Sequence, residues 1–111
     1  MANTFKLKTF DGSSTAANAA MTVYTAPAAT TTVVLGITLA NITTSTIYAT
    51  VLIENNDGDN VNFLKGVPIP TGSSIEVMSG NKLILETSGV LKVQSDTANS
   101  LDTSLSIMEQ A

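Results

Sequence analysis

Short runs in which apolar and polar residues alternate, each ended by turn residues, most constrain the fold of this 111-residue chain. About nine such runs follow one another, at the roughly 8–12-residue spacing of turn signals that is typical of an antiparallel β-sandwich or a jelly roll. Apolar residues rarely recur at the helical spacing of i, i+3, i+4 and i+7. The sequence therefore predicts one all-β domain over residues 1–111, an antiparallel β-sandwich or jelly-roll-like fold of about 8–9 short strands.

The alternating runs give the positions of the predicted strands. They are Phe5–Phe10, Met21–Thr25, Thr32–Ala40, Thr46–Glu54, Val61–Leu64, Ile75–Met78, Lys82–Thr87, Val90–Ser95 and Leu101–Glu109. Within the third run, strict alternation places Leu35 and Ile37 on the same buried face. The fourth run is apolar in both phases, which predicts a central strand covered on both sides. The predicted core consists of Val33, Leu35, Ile37, Val51, Ile53, Leu85 and Val93.

Turn residues and prolines divide these runs. The pair Asp57-Gly58 lies between two alternating runs, and both residues tolerate a positive φ, which predicts a hairpin. Pro68 and Pro70 cannot donate backbone hydrogen bonds to a neighbouring strand. The segment Gly66–Ser74 is therefore predicted to be a sheet edge or a crossing between sheets.

Composition excludes several classes of function. The chain has no histidine and no cysteine, which removes the most common general base, the most common metal ligand, disulfide bonds and thiolate chemistry. Its net charge is −4, only 13% of its residues are charged, and it has no arginine. Nucleic acids and anionic membranes are bound by clustered cations, so neither partner is expected. We assign no catalytic, cofactor-binding or metal-binding residue and expect no enzyme.

Three groups of polar residues have spacings that suggest chemistry, and each has a simpler structural explanation. Asn55, Asp57 and Asp59 alternate as calcium ligands do, but the glycine and glutamate of a helix-flanked calcium loop are missing, so a turn is predicted. Ser79–Lys82 has the Ser-x-x-Lys spacing but lies in a predicted hairpin turn. Four carboxylates could serve glycoside hydrolysis, but alternation places most of them on outer faces, where a solvated charge is the simpler explanation. They are Glu54, Glu76, Glu86 and Glu109.

A glycosylation pattern occurs without an export signal. The tripeptide Asn41-Ile42-Thr43 fits the acceptor pattern for N-glycosylation. Residues Met1–Lys6 lack the basic head and apolar run of a secretory signal. The chain is therefore expected to be used or assembled inside a cell, without a glycan.

Five stretches occur in a recognisable order along nearly the whole chain. They are Met1–Lys6, Val23–Val34, Val67–Val77, Leu83–Glu86 and Leu91–Ser95. In this order they resemble a family of small virion proteins of marine tailed phages, especially phages of cyanobacteria and other ocean bacteria. The resemblance implies a β-sandwich subunit that is present in many copies on the particle.

The resemblance and the missing catalytic side chains together predict a structural protein of a phage virion. The most specific hypothesis is a decoration or cement subunit that binds the major capsid protein on the head shell. The alternative is a neck, tail or fibre-base component of the same particle. The expected partners are the major capsid protein or another virion structural protein, together with further copies of the chain in a homo-oligomer. The expected location is the virion, assembled in the host cytoplasm.

The predicted contact residues lie near the amino end, where an aromatic strand could dock by strand addition, and in the proline segment. They are Phe5, Phe10, Val67, Pro68, Ile69 and Pro70. For the prolines, the alternative explanation is that they only protect a sheet edge. A carbohydrate-binding module for host recognition is the hypothesis from another class, and it would use exposed aromatic and acidic residues. Its candidates are Tyr24, Tyr48, Asp57 and Asp59.

Overall fold

The fold is described by a computed structural model over residues 3–12, 15–55, 57–78 and 82–111. These ranges contain nine β-strands, and no helix within them is long and apolar enough to cross a membrane. The strands are β1 (Asn3–Phe10), β2 (Met21–Thr25), β3 (Thr31–Asn41), β4 (Ile47–Glu54), β5 (Asn60–Ile69), β6 (Ser74–Glu76), β7 (Leu83–Leu85), β8 (Val90–Ser95) and β9 (Leu101–Gln110).

The strands form two antiparallel sheets. The first has the order β1-β9-β3-β6, with β7 also paired to β3, and the second has the order β2-β8-β4-β5. Because β6 pairs with residues 38–40 of β3 and β7 pairs with residues 32–34, the two short strands are successive parts of one edge. With β6 and β7 counted as one edge, the strand pairs are nested along the chain. β1 pairs with β9, β2 with β8, β3 with β6 and β7, and β4 with β5. This is the arrangement of an eight-stranded jelly roll, and it confirms the predicted all-β sandwich.

Apolar side chains of both sheets fill the space between them, because alternate residues of a strand point to the same face. The largest fully buried side chains are those of Ile37, Leu39, Ile47, Ile69, Met78, Leu91, Leu101, Leu105, Ile107, Val34, Val51 and Val93. Of the predicted core residues, those found buried are Ile37, Val51, Leu85 and Val93. Ile53 is half-buried and packs against this core.

A β-bulge in β3 changes the face that its residues occupy. The register between β3 and β9 shifts between Val34 and Gly36, so the alternation is broken at Leu35. Val34 is buried before the shift and Ile37 after it. The prediction that Val33 and Leu35 lie in the core is therefore wrong. Val33 is half-buried on the outer face, and Leu35 is 36% exposed.

The second sheet places β4 between β8 and β5. The prediction of a central strand is confirmed, but cover on both sides is not found, since Tyr48 on the outer face is 49% exposed. β5 is the edge of this sheet and contains Pro68, which is paired with Tyr48. After Pro70 the chain crosses to β6 in the first sheet. The proline segment is thus both a sheet edge and a crossing, as its missing N–H donors predicted.

Gly12 lets the chain leave β1 close to the start of β9. A Cβ atom at this position would overlap the carbonyl oxygen of Leu101, so no other residue fits without moving the backbone. The N–H of Gly12 donates a 2.8 Å hydrogen bond to Oδ1 of Asp102. This contact fixes the end of β1 against β9.

Alanine substitutions on either side of the bulge should have unequal effects on stability. Ile37→Ala should lower the free energy of unfolding by about 2–5 kcal/mol, because it removes buried methylene groups and leaves a cavity. Leu35→Ala should cost less than about 1 kcal/mol, because its side chain already contacts water. Urea unfolding of both variants measures the difference. Equal losses would contradict the change of face at the bulge.

Candidate assembly surface

β1 lies at the edge of the first sheet and pairs with β9 along its full length. Phe5 and Leu7 point to the outer face and are 71% and 68% exposed. Lys6 and Lys8 lie on the inward side, as the alternation of the sequence predicts. Phe10 is on the inward side too and is half-buried. Of the two aromatic residues predicted to make contacts, only Phe5 is therefore presented to solvent by the outer face.

Phe5 is one end of a line of apolar side chains that crosses the outer face of the first sheet. Phe5 is paired with Met108 of β9, Met108 with Val33 of β3, and Val33 with Ile84 of β7. Directly opposed residues of antiparallel strands share a face, so these side chains lie next to one another across four strands. Ile84, at the far end, is 62% exposed. We call these four residues the apolar row.

Two leucines extend the apolar row along the strands. Leu7 is two residues from Phe5 on the same face of β1, and Leu35 is exposed at the bulge two residues from Val33. We call the apolar row together with these leucines the apolar patch; none of its six members is charged. A carboxylate borders it next to Leu35, since Glu76 Oε2 lies 3.6 Å from the position of a Cβ at Gly36 and accepts a 3.3 Å hydrogen bond from Thr38.

On the inner side of β1, a buried carboxylate links four strands. The Nζ atom of Lys6 lies 2.7 Å from Oε1 of Glu109 on β9. The hydroxyl of Tyr24 on β2 donates a hydrogen bond to Glu109 Oε2 and lies 2.9 Å from Oγ1 of Thr32 on β3. Because the phenol has a single proton, the Thr32 hydroxyl donates to the Tyr24 oxygen. We call these four residues the Glu109 cluster; it joins the first sheet to β2 of the second.

The contacts in the Glu109 cluster shift the pKa of both acidic groups. The hydrogen bond from Lys6, followed by that from Tyr24, lowers the pKa of Glu109 in spite of its burial. Burial, followed by the hydrogen bond to Glu109, raises the pKa of Tyr24 to about 12. At neutral pH, Glu109 is therefore an anion and Tyr24 a neutral donor, which is the combination that their hydrogen bond requires.

The lysines of β1 bear on the predicted docking by strand addition. Charged residues that point inward from an edge strand disfavour pairing with a further strand. Lys6 and Lys8 occupy such positions on β1. They disfavour strand addition at this edge, whereas the outer face with the apolar patch stays open to a partner.

The proline segment places its predicted contact residues in different environments. Pro68 and Pro70 are exposed, and Val67 is half-buried. Ile69 is fully buried between the sheets, so its side chain is not available to a partner. Pro68 and Tyr48 are cross-strand neighbours on the outer face of the second sheet. We call these two residues the Tyr48–Pro68 pair.

The four predicted carboxylates do not form one site. Glu54 lies on the second sheet, 2.7 Å from Nζ of Lys92, whereas Glu76 lies on the edge of the first sheet. Most of the four were expected on solvated outer faces, and Glu109 departs from that expectation because its side chain points into the sandwich. The sequence contained a sign of this inward orientation. Glu109 follows Leu105 and Ile107 at two-residue spacing, which places it on the same face of β9, and both of those residues are buried.

The other polar groups have structural roles where the structure describes them. Oδ1 of Asn55 accepts hydrogen bonds from the backbone N–H groups of Asp57 at 2.9 Å and Asp59 at 3.2 Å, which confirms the predicted turn. The run Ser79–Lys82 lies outside the described residues, except for Lys82, which is exposed. Within the described residues, no three potential metal-ligating side chains come together.

Asn41, the residue of the glycosylation pattern, is 4% exposed. Its Nδ2 donates hydrogen bonds to the carbonyl oxygens of Ser45 at 2.7 Å and Ile69 at 2.9 Å. Its Oδ1 accepts a 2.8 Å hydrogen bond from the N–H of Thr43. The amide therefore holds the turn after β3 together, and a glycan could attach only if these hydrogen bonds were broken.

Three solved structures share this fold at low sequence identity. Bacillus endospore appendages, which form disulfide-linked pili, match with a TM-score of 0.53 and 13% identity over 97% of this chain and 84% of theirs. The capsid of Helicobacter pylori bacteriophage KHP30 matches with a TM-score of 0.51 and 13% identity over 98% of this chain and 87% of the other. Infectious bursal disease virus, strain Gt, matches with a TM-score of 0.51 and 13% identity over 96% of this chain but 31% of the other.

These similarities extend to the fold and not to the sequence. No family model matches the chain, and no curated protein matches it. The structural neighbours are capsid and pilus proteins, which is broader than the marine phage family that the sequence resembles.

Replacing Glu109 by glutamine should lower stability and weaken its dependence on acid. Because folding lowers the pKa of Glu109, the wild type is stabilised above the unfolded pKa, ordinarily 4.5, and loses this stabilisation as pH falls through the lower folded pKa. The variant should lose about 1–3 kcal/mol at neutral pH and show a smaller decrease in melting temperature upon acidification. Glu86→Gln, which removes an exposed charge, is the control. An unchanged acid dependence in Glu109→Gln would contradict this assignment.

The ionisation of Tyr24 can be measured by absorbance, since the chain has two tyrosines and no tryptophan. In Tyr48→Phe, ultraviolet titration should report Tyr24 alone, with a pKa of about 12. Because folding raises this pKa above its ordinary value of 10, the associated stabilisation is complete below pH 10 and lost as pH rises through about 12. A midpoint at the ordinary value in the folded protein would rule out the buried hydrogen bond.

Proposed function

We propose that this protein is a structural subunit of a tailed-phage virion, and specifically a decoration or cement subunit on the capsid shell. The observation that carries the proposal is that the outer faces of both sheets expose apolar side chains. The apolar patch lies on the first sheet, and the Tyr48–Pro68 pair lies on the second. A subunit with contact surfaces on opposite sides can bridge two neighbours, which is what a cement protein does.

The fold and the length of the chain support this proposal. The jelly roll is a common architecture of capsid proteins. The matched KHP30 capsid chain is covered to 87%, so a chain of similar length occurs in a phage capsid structure. The resemblance to small virion proteins of marine tailed phages points to the same class of particle.

The low proportion of charged residues suits lattice binding. Charged groups cost free energy when they are buried in an interface without ideal partners. Only 13% of the residues are charged, so a shell protein can cover the outer faces without burying many charges. Weak contacts of this kind become effective when many copies bind the same particle.

A neck, tail or fibre-base component would use the same surfaces, and imaging of the particle separates these positions from the head. The carbohydrate-binding alternative loses one of its candidates, because Tyr24 is buried in the Glu109 cluster. Asp57 and Asp59 donate their backbone N–H groups to the hairpin turn. The burial of Tyr24 supports the structural role over a carbohydrate site.

The proposal predicts that the chain is a component of purified particles and covers the head shell. Cryo-electron microscopy of phage particles that encode the chain should show its jelly roll on the capsid surface. Its absence from purified particles would overturn the proposal, and density at the neck or tail would overturn the specific assignment to the head.

A binding experiment tests the surface that we assign to the shell. Recombinant protein is added to particles that lack it, and bound protein is measured after the particles are sedimented. Tyr48→Ser should weaken binding about tenfold, since tyrosines at the centre of an interface often contribute more than 1 kcal/mol. Thr22→Ala, exposed on the same sheet, is the control and should bind as the wild type does.

A further inference from the structure

We propose that the apolar patch binds a second copy of this chain, so that two jelly rolls pair through the outer faces of their first sheets. This inference deepens the proposed function and rests on it for its biological role. It assigns the apolar patch to self-association and leaves the Tyr48–Pro68 pair for the shell.

The composition of the apolar patch suits a partner that is identical to itself. In a two-fold pair the same surface occurs on both sides, so a charge near the axis meets its own copy. The apolar patch has no charged member, and its central residues, Met108 and Val33, are apolar. Two copies can therefore approach without repulsion at the centre.

The size of the apolar patch indicates a weak pair. With roughly 150–250 Å² presented by a large side chain when fully exposed, Phe5, Leu7 and Ile84 together expose on the order of 400 Å². This is near the size of the largest apolar patch on an ordinary monomer, which is often functional. It is also roughly half of the ~800 Å² that each partner contributes to a standard interface. Pairing should therefore depend on protein concentration.

The charges at the margins of the apolar patch select one of two orientations. With the two-fold axis along the strands, β1 of one copy faces β7 of the other, and Phe5 meets Ile84. With the axis along the apolar row, each residue meets its own copy. Glu76 and Glu86 lie on or beside β6 and β7, whereas β1 carries no acidic residue and its two lysines point to the inner side. Only the first orientation avoids placing the acidic margin against itself.

Sedimentation equilibrium of the wild type over a range of concentrations tests the pairing. The average mass should rise from the 11.5 kDa of the monomer towards twice that value. Phe5→Glu and Ile84→Lys, each alone, should stay monomeric at concentrations where the wild type pairs, because each places two charges against apolar side chains. Tyr48→Glu, on the other sheet, should pair as the wild type does. Circular dichroism confirms that each variant is folded.

Mixing the two charged variants tests the orientation. If Phe5 faces Ile84, an equimolar mixture of Phe5→Glu and Ile84→Lys forms a pair with one glutamate–lysine contact and one native contact. The mixture should then recover the mass of a dimer. If it stays monomeric while the wild type pairs, the proposed orientation is wrong.

Failure of this proposal can be told apart from failure of the proposed function. A wild type that stays monomeric at all concentrations, or that pairs regardless of substitutions at Phe5 and Ile84, overturns the second copy as the occupant. Binding to particles can persist in both cases. If the wild type pairs in solution but does not bind to particles, the shell-binding role is wrong and the pairing proposal stands.

Discussion

The position of β1 depends on the buried carboxylate of Glu109. β1 is an edge strand with one hydrogen-bonded neighbour, and its outward side chains face solvent, so backbone pairing with β9 is its main other support. The ion pair with Lys6 fastens the strand from its inner side, and the bond from Tyr24 extends the connection to the second sheet. A carboxylate at this depth is favourable only because both oxygens have partners. Since Phe5 is adjacent to Lys6, the same contact also holds one end of the apolar row in place.

Local sequence patterns predict much of the fold, but they do not predict the apolar surface of the first sheet. Alternation and turn residues predict the all-β class, strands β2 and β8 to the residue, and the edge position of Pro68. These patterns fail at Leu35. A bulge depends on the pairing of β3 with β9, and the alternation within the β3 sequence does not mark its position. The apolar row was not predicted either. Its members come from four separate strands, and only the nested topology makes them neighbours.

Prediction of the Glu109 cluster fails for a related reason. A glutamate near the end of a strand is ordinarily solvated, and its burial becomes favourable only when a cation and a donor arrive from other strands. Lys6 and Tyr24 are more than 80 residues away along the chain. The phase of Glu109 with Ile107 indicated an inward side chain. Prediction of its partners would have required knowledge of the pairing of β1 with β9 and of the packing of β2 against these strands.

The two outer faces serve assembly best if they differ in strength. If the apolar patch paired tightly in solution, the protein would be a dimer before it met a particle, and both shell-binding faces would have to fit the lattice at once. A patch of about half the standard area pairs weakly when dilute. If two copies bind facing surfaces of the shell through their second sheets, their first sheets are held opposite each other at a high effective concentration, and the same weak contact becomes favourable. In the proposed assembly, the shell decides where pairs form when the protein is dilute, and the apolar contact contributes most on the assembled particle.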